Sequence, residues 1–197
     1  MTKYVDIGED KTFNNAEDGA KDSTGMGGIG NRQYDYELSD NRAMAAAVAY
    51  TAGDTGCWAE TWTKVYIRNP QPGLGDWSQQ AKITVDGFWS AFLEATVSGT
   101  EIKLEAFIRD SSDNLDSSEV LHKTSEPADL WSDNDSYTED LYAELETSNA
   151  YEIGIRAKAS ATAITQISTG LADCYSSDTT FEYAGRHEYD SLELTWL

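Results

Sequence analysis

The 197-residue chain carries 35 Asp and Glu against 14 Lys and Arg, a formal charge of -21 at pH 7, with 40% hydrophobic residues. Length and apolar content suit one domain, or one domain with an arm. The lack of a basic footprint excludes nucleic acid and anionic membrane surfaces as partners, and no stretch approaches the roughly eighteen apolar residues of a membrane span.

Residues 1–32 are rich in Gly, Asn and Asp and lack sustained alternation. They read as an irregular N-terminal arm, with Tyr4, Ile7, Phe13, Met26 and Ile29 spaced as isolated anchors for a neighbouring subunit; such a tether orders on binding. The glycines from 25 to 30 are followed by no Lys-Ser/Thr pair, so they do not form a phosphate loop. Met1–Asp10 holds no apolar segment and no twin-arginine pair, and the expectation is a protein made without an export signal.

From residue 33 onward, period-two alternation dominates and long helical periodicity is nearly absent. Strands are expected at Gln33–Leu38, Ala43–Thr51, Thr61–Arg68, Gln80–Val85 and Ala91–Val97. Ala43–Tyr50 has the helix propensity of an alanine run, but the turn-like Thr51-Ala-Gly-Asp-Thr-Gly after it favours a strand. Asn69–Trp77, with two of the three prolines, is a loop. Ser98-Gly99 reads as a hairpin turn into Ile102, Leu104, Ala106 and Ile108. Leu141, Ala143 and Leu145 form another face, and Ser148-Asn149 turns the chain into Tyr151, Ile153, Ile155 and Ala157. Leu192, Leu194 and Trp196 close the series. About nine or ten strands predict an all-β fold, a single sandwich or jelly roll over 33–197.

Cys57 and Cys174 each lie a few residues beyond one of two alanine-rich runs, 42–50 and 157–163. If those runs are neighbouring strands, the sulfurs meet. A disulfide and two half-buried thiols both fit, and one pairing exists. Two cysteines with no nearby His do not make a zinc site.

Three further groups bear on chemistry. Asp110-Ser-Ser-Asp113-Asn-Leu-Asp116-Ser-Ser-Glu119 gathers oxygen ligands but lacks calcium-loop spacing, so it reads as a solvated turn; no cofactor is expected beyond weakly held cations. Trp58, Trp62, Trp77, Trp89 and Trp131 could serve as sugar platforms or as interface anchors, with burial in the core the plain alternative for Trp62 and Trp89, and the sequence leaves the three open. Glu188-Tyr-Asp190-Ser-Leu-Glu193 matches the E-x-D-x-x-E strand motif of laminarinase-like retaining glucanases. That resemblance implies nucleophile and acid/base roles for Glu188 and Glu193 across a glycosidic bond. A bulge is needed to bring both onto one face. The match covers six residues in a chain crowded with carboxylates, and the expectation is an exposed acidic strand face rather than an enzyme.

The acid is spread from Asp6 to Glu193 among six Trp, eleven Tyr and five Phe, unlike a disordered acidic tail. Repulsion of this size destabilises a compact state in dilute buffer. At molar salt the screening length falls to about 3 Å. In acidity, size and predicted architecture the chain resembles the jelly-roll capsid, decoration or tail proteins of viruses infecting halophilic archaea. The resemblance implies a homo-oligomer, contacts with other particle proteins and location in the virion, with the cytoplasm as the alternative. A carbohydrate-binding, adhesion or receptor-binding module is the second expectation, and a sandwich glycosidase the third.

Overall fold

The computed structural model describes residues 3–24, 30–50, 52–71, 75–95, 98–110, 115–126, 130–163, 170–174 and 186–197. Among them the chain is all-β: thirteen strands in two sheets, one 3-10 turn at Leu38–Asp40 and no α-helix. The strands are β1 (Lys3–Asp6), β2 (Lys11–Phe13), β3 (Asp18–Thr24), β4 (Gly30–Glu37), β5 (Arg42–Ala49), β6 (Gly53–Arg68) and β7 (Ser78–Ala95). They continue with β8 (Ser98–Asp110), β9 (Leu115–Glu126), β10 (Leu130–Glu146), β11 (Ala150–Ala163), β12 (Gly170–Cys174) and β13 (Arg186–Trp196). Ala43–Ala49 lie in a strand as expected, although Gly53–Gly56 of the turn expected after them already belong to β6.

One sheet (sheet A) runs β1-β6-β11-β8-β9, and the other (sheet B) runs β10-β7-β12-β5-β13-β2. β12 and β13 lie end to end in one strand position, each pairing with β5 and β7. Taken as one strand, they complete an antiparallel set β5–β12/β13–β7–β10 facing a set β6–β11–β8–β9. Chain order pairs first with last: β5 with β12/β13, β6 with β11, β7 with β10, β8 with β9. That nested pairing is a jelly roll.

Alternation explains why the sheets face each other as they do. Ile102, Leu104, Ala106 and Ile108 of β8 are fully buried, as are Ile153, Ile155 and Ala157 of β11 and Ile83, Val85 and Leu93 of β7. The two alanine runs are not neighbours within a sheet. β5 belongs to sheet B and β11 to sheet A, and Ala43, Ala45, Ala47 and Ala49 face the core, as do Ala157, Ala159, Ala161 and Ala163. Their backbones come within 8 Å, closer than the usual separation of about 10 Å between packed sheets. Methyl-sized side chains permit that approach.

One of the two turn expectations needs correction. Ser98 and Gly99 open β8, and β7 and β8 lie in different sheets, so Ala91–Val97 and Ile102–Ile108 are not a hairpin. Ser148 does sit in a turn, with a left-handed backbone (φ 69°), but the turn carries the chain from β10 across to β11 in the other sheet. A two-residue turn signal fixes a reversal, not the sheet in which the next strand lands.

The N-terminal segment departs most from expectation. Residues 3–24 are not an irregular arm. β1 and β3 lie end to end along β6, pairing with residues 65–68 and 56–62, and β2 pairs with Leu192–Leu194 of β13. Ile7 and Phe13, expected as anchors for a neighbour, are buried in this subunit's own core with Val5 and Ala16. Tyr4 is half exposed, against Tyr66 and Arg68. Met26 and Ile29 lie outside the described residues.

Asn41 ties this segment down. It occupies the left-handed region (φ 52°), where Asn is tolerated better than most residues. Its buried amide accepts from Ala16 N–H (2.6 Å) and donates to the carbonyls of Asn14 (2.8 Å) and Tyr189 (3.0 Å). One side chain thus joins the β2–β3 connection to β13.

Candidate functional site

The outer face of sheet A is the most chemically elaborate surface among the described residues. Its central strands are in register, so side chains form rows: Lys64–Glu152–Arg109, then Trp62–Gly154–Phe107, then Glu60–Arg156–Glu105, then Trp58–Lys158–Lys103. The last row continues to Lys123 on β9 and, at its other end, to Asp22 on β3. Opposite charges face each other in two rows, an arrangement that stabilises cross-strand pairs.

Gly154 makes the second row possible. A Cβ there would collide with the Thr61 carbonyl and with Trp62. Without it, Trp62 and Phe107 pack down onto the sheet, 7% and 1% exposed, beneath the Arg109 guanidinium, which lies 4.6 Å and 5.0 Å from their ring centroids. Trp62 is buried under a layer of arginine rather than between the sheets. Trp89 is in the core, stacked on His122 at 4.0 Å.

Glu60, 1% exposed, is the hub. Arg109 Nη1 donates to one carboxylate oxygen (2.7 Å) and Arg156 Nε to the other (2.6 Å), while Arg109 Nε donates to Glu152 (2.7 Å). Burial disfavours charge on Arg109, but Glu152 and Glu60 outweigh it and raise its pKa. Burial likewise opposes ionisation of Glu105, yet the hydrogen bond from Lys103 (2.6 Å) and the ion pair with Lys158 (3.0 Å) hold its carboxyl below the usual range. Replacing Glu60 by Gln leaves two guanidiniums short of a counter-charge; breaking a buried pair this way costs about 3–5 kcal/mol. Urea unfolding of Glu60→Gln should show that loss.

Beside this network lies a cleft of about 510 Å³, lined by Thr24, Cys57, Trp58, Glu101, Arg156, Lys158, Ala159 and Ser160. Trp58 is half-buried, with Arg156 5.5 Å from its ring centroid. Lys158 and Glu101 are about two-fifths exposed, Glu101 pairing with Lys123 at 3.2 Å. In a chain of charge -21, the three central strands are charge-balanced, with Lys64, Arg68, Lys103, Arg109, Arg156 and Lys158 against Asp54, Glu60, Glu101, Glu105, Asp110 and Glu152. Composition concealed this balance, because it emerges only when β6, β8 and β11 come into register.

The glucanase-like residues lie on the opposite sheet. A register shift between Tyr189 and Ser191 supplies the bulge the motif required. Glu188 is held by Arg42 (3.2 Å) and Arg186 (3.5 Å), while Asp190 and Glu193 are exposed. Behind them His187 is fully buried; burial, only partly offset by the Arg156 backbone, drives its pKa to about 3 and keeps the ring neutral. Tyr137 Oη contacts His187 Nε2 (3.1 Å) and donates to the Glu188 carbonyl (3.2 Å), and burial together with the nearby Asp190 and Glu188 charges pushes its pKa well up. This is sealed packing behind a pinned carboxylate.

Cys57 is a free, buried thiol whose Sγ donates to the Ala46 carbonyl (3.1 Å). Burial raises its pKa to about 11, so it is no nucleophile. The Cys174 backbone pairs with Ala45, and its side chain lies outside the described residues. Of the acidic run 110–119, residues 111–114 also lie outside. Trp77 is half exposed, and the Trp131 side chain is not among those described. No group of His, Cys, Asp or Glu that could hold a metal occurs among the described residues. No helix there is long and apolar enough to cross a membrane.

No family model matches the chain, and no curated protein matches it. Among solved structures it is similar to the enzymatically active domain of tailspike protein 4 of bacteriophage CBA120. That similarity has 9% identity and a TM-score of 0.35, over 87% of this chain and 19% of the other. A similarity this distant carries no argument about fold or function.

Proposed function

We propose that this is a non-enzymatic structural protein that self-assembles in high salt, as a capsid, decoration or tail component of a virus of halophilic archaea. Its partners are copies of itself and other virion proteins. The observation that carries the reading is the flank formed by β9 and β10, the outer strands of the two sheets. β10 pairs with β7 over 17 residues without a register shift. Edge strands are normally blunted by charged side chains, Pro or bulges; β10 has no Pro, no Lys and no bulge, and its charges are all carboxylates. Instead, Asp133 and Asp135 accept from the backbone N–H groups of Asn134 and Ser136, both at 2.8 Å. Molar salt screens those carboxylates, and an incoming strand then takes over the amides.

Ser136→Pro tests this directly. The Ser136 N–H is held by the Asp135 side chain, so proline costs no ladder bond, and proline is tolerated on edge strands. In 3 M KCl the wild type should elute as an oligomer, and Ser136→Pro as a monomer with an unchanged melting temperature. A wild type monomeric at every concentration, or a variant that assembles normally, refutes the reading. The second reading is a carbohydrate-binding, adhesion or receptor-binding module, favoured by the cleft beside Trp58. The glycosidase reading is set aside because Arg42 and Arg186 occupy the Glu188 carboxylate.

A further inference from the structure

We propose that the cleft beside Trp58 binds an acidic saccharide, a chain of sugars bearing carboxylates. This rests on the binding-module reading and is independent of assembly. At about 510 Å³ the cleft has the size of small-ligand sites. Its polar groups converge with one aromatic wall. The half-buried Trp58 offers a flat apolar face, the form of surface on which the C–H face of a pyranose ring packs. The Arg156 guanidinium is held against the same indole by Glu60, which pre-sets its orientation before any ligand arrives. Ser160, Thr24 and the partly exposed Glu101 supply hydroxyl and carboxylate partners for sugar hydroxyls.

The charge selectivity follows from Lys158. It stands directly opposite Lys103, which stands opposite Lys123. Like charges placed opposite each other on adjacent strands destabilise a sheet. Glu105 answers two of these lysines and Glu101 the third, but folding alone is served better by alternating charges, as in the neighbouring rows. With Asp22 opposite Trp58 at its other end, the row sets three lysines beside one carboxylate, and it raises the local potential relative to the rest of a molecule whose net charge would otherwise repel an anionic glycan. A carboxylated sugar gains from it, and a neutral sugar gains nothing.

The test is titration at the lowest KCl concentration at which the protein is folded, so that the charges of the cleft are not screened, followed by tryptophan fluorescence and calorimetry, with three probes. They are a galacturonic acid trisaccharide, the matching neutral galactose trisaccharide, and inorganic phosphate. The acidic trisaccharide should bind at least tenfold tighter than either of the others. Trp58→Ala should weaken it at least tenfold, and Lys158→Gln should erase its advantage over the neutral sugar. Ser160→Trp, at an exposed position, should fill the cleft and abolish binding with Trp58 intact, which covers the case that Trp58→Ala unfolds. Equal affinity for acidic and neutral sugars, lost in Ser160→Trp, overturns the acidic assignment while leaving the binding-module reading. Phosphate binding as tight as the trisaccharide reduces the site to an anion site and overturns the proposal. Binding of none of the three removes both the proposal and the binding-module reading.

Discussion

A chain lacking residues 2–24 will not fold. The truncation removes Val5, Ile7 and Phe13, at most 5% exposed, together with Ala16. Burying each of the three larger side chains contributes about 1.5–3 kcal/mol, and their sum is comparable to the roughly 5–15 kcal/mol by which a whole domain is stable. The loss goes beyond apolar area. β3 and β1 together cover β6 from Gly56 to Arg68 apart from Thr63 and Lys64, so the truncated protein exposes a long edge in sheet A. Asn41 loses its partners at Asn14 and Ala16, leaving a buried amide that costs about 1–3 kcal/mol more. The truncated chain should give an unfolded circular dichroism spectrum in 3 M KCl or collect in the insoluble fraction. A soluble, β-rich, cooperatively melting product would show instead that the segment is dispensable.

The reason this segment was misread in the sequence is physical. β1 and β2 are four and three residues long and β3 is seven, too short for alternation to register. β3 is also mostly polar: Asp18, Lys21, Asp22 and Thr24 are exposed, and it holds its place through backbone bonds to β6. Backbone pairing leaves little trace in side-chain pattern. The long strands were legible because each buries one face; Leu141, Ala143 and Leu145 and the β8 series fell where alternation put them. Which strands pair was not legible, since a jelly roll joins β6 to β11 and β7 to β10 between partners distant in sequence, such as Ala150 with Tyr66 and Leu130 with Glu94. The cleft was hidden for the same reason. Trp58, Glu101, Arg156 and Lys158 come from three strands that only topology brings together.

Salt should stabilise this protein steeply, and the structure divides its charges into those that respond and those that do not. Asp190 and Glu193 are exposed on sheet B and make no ion pair among the described residues. Asp133 and Asp135 are exposed along the β10 edge. Such groups feel the -21 charge through solvent, and their repulsion is screened over about 3 Å at 1 M salt. Glu60 and Arg109 are screened far less because they are buried. The melting temperature should therefore rise by at least 10 °C between 0.1 and 3 M KCl, which corresponds to about 3–5 kcal/mol for a chain of this size. Two variants separate the causes. Asp190→Asn combined with Glu193→Gln should raise the melting temperature at 0.1 M KCl and leave it unchanged at 3 M. Glu60→Gln should lower it by a similar amount at both salt concentrations. A wild-type melting temperature flat across the range would remove the case for a high-salt protein. If the Glu60→Gln deficit vanishes at 3 M, the arginine network is reached by solvent, and its contribution is that of an ordinary surface pair, about 0–1 kcal/mol.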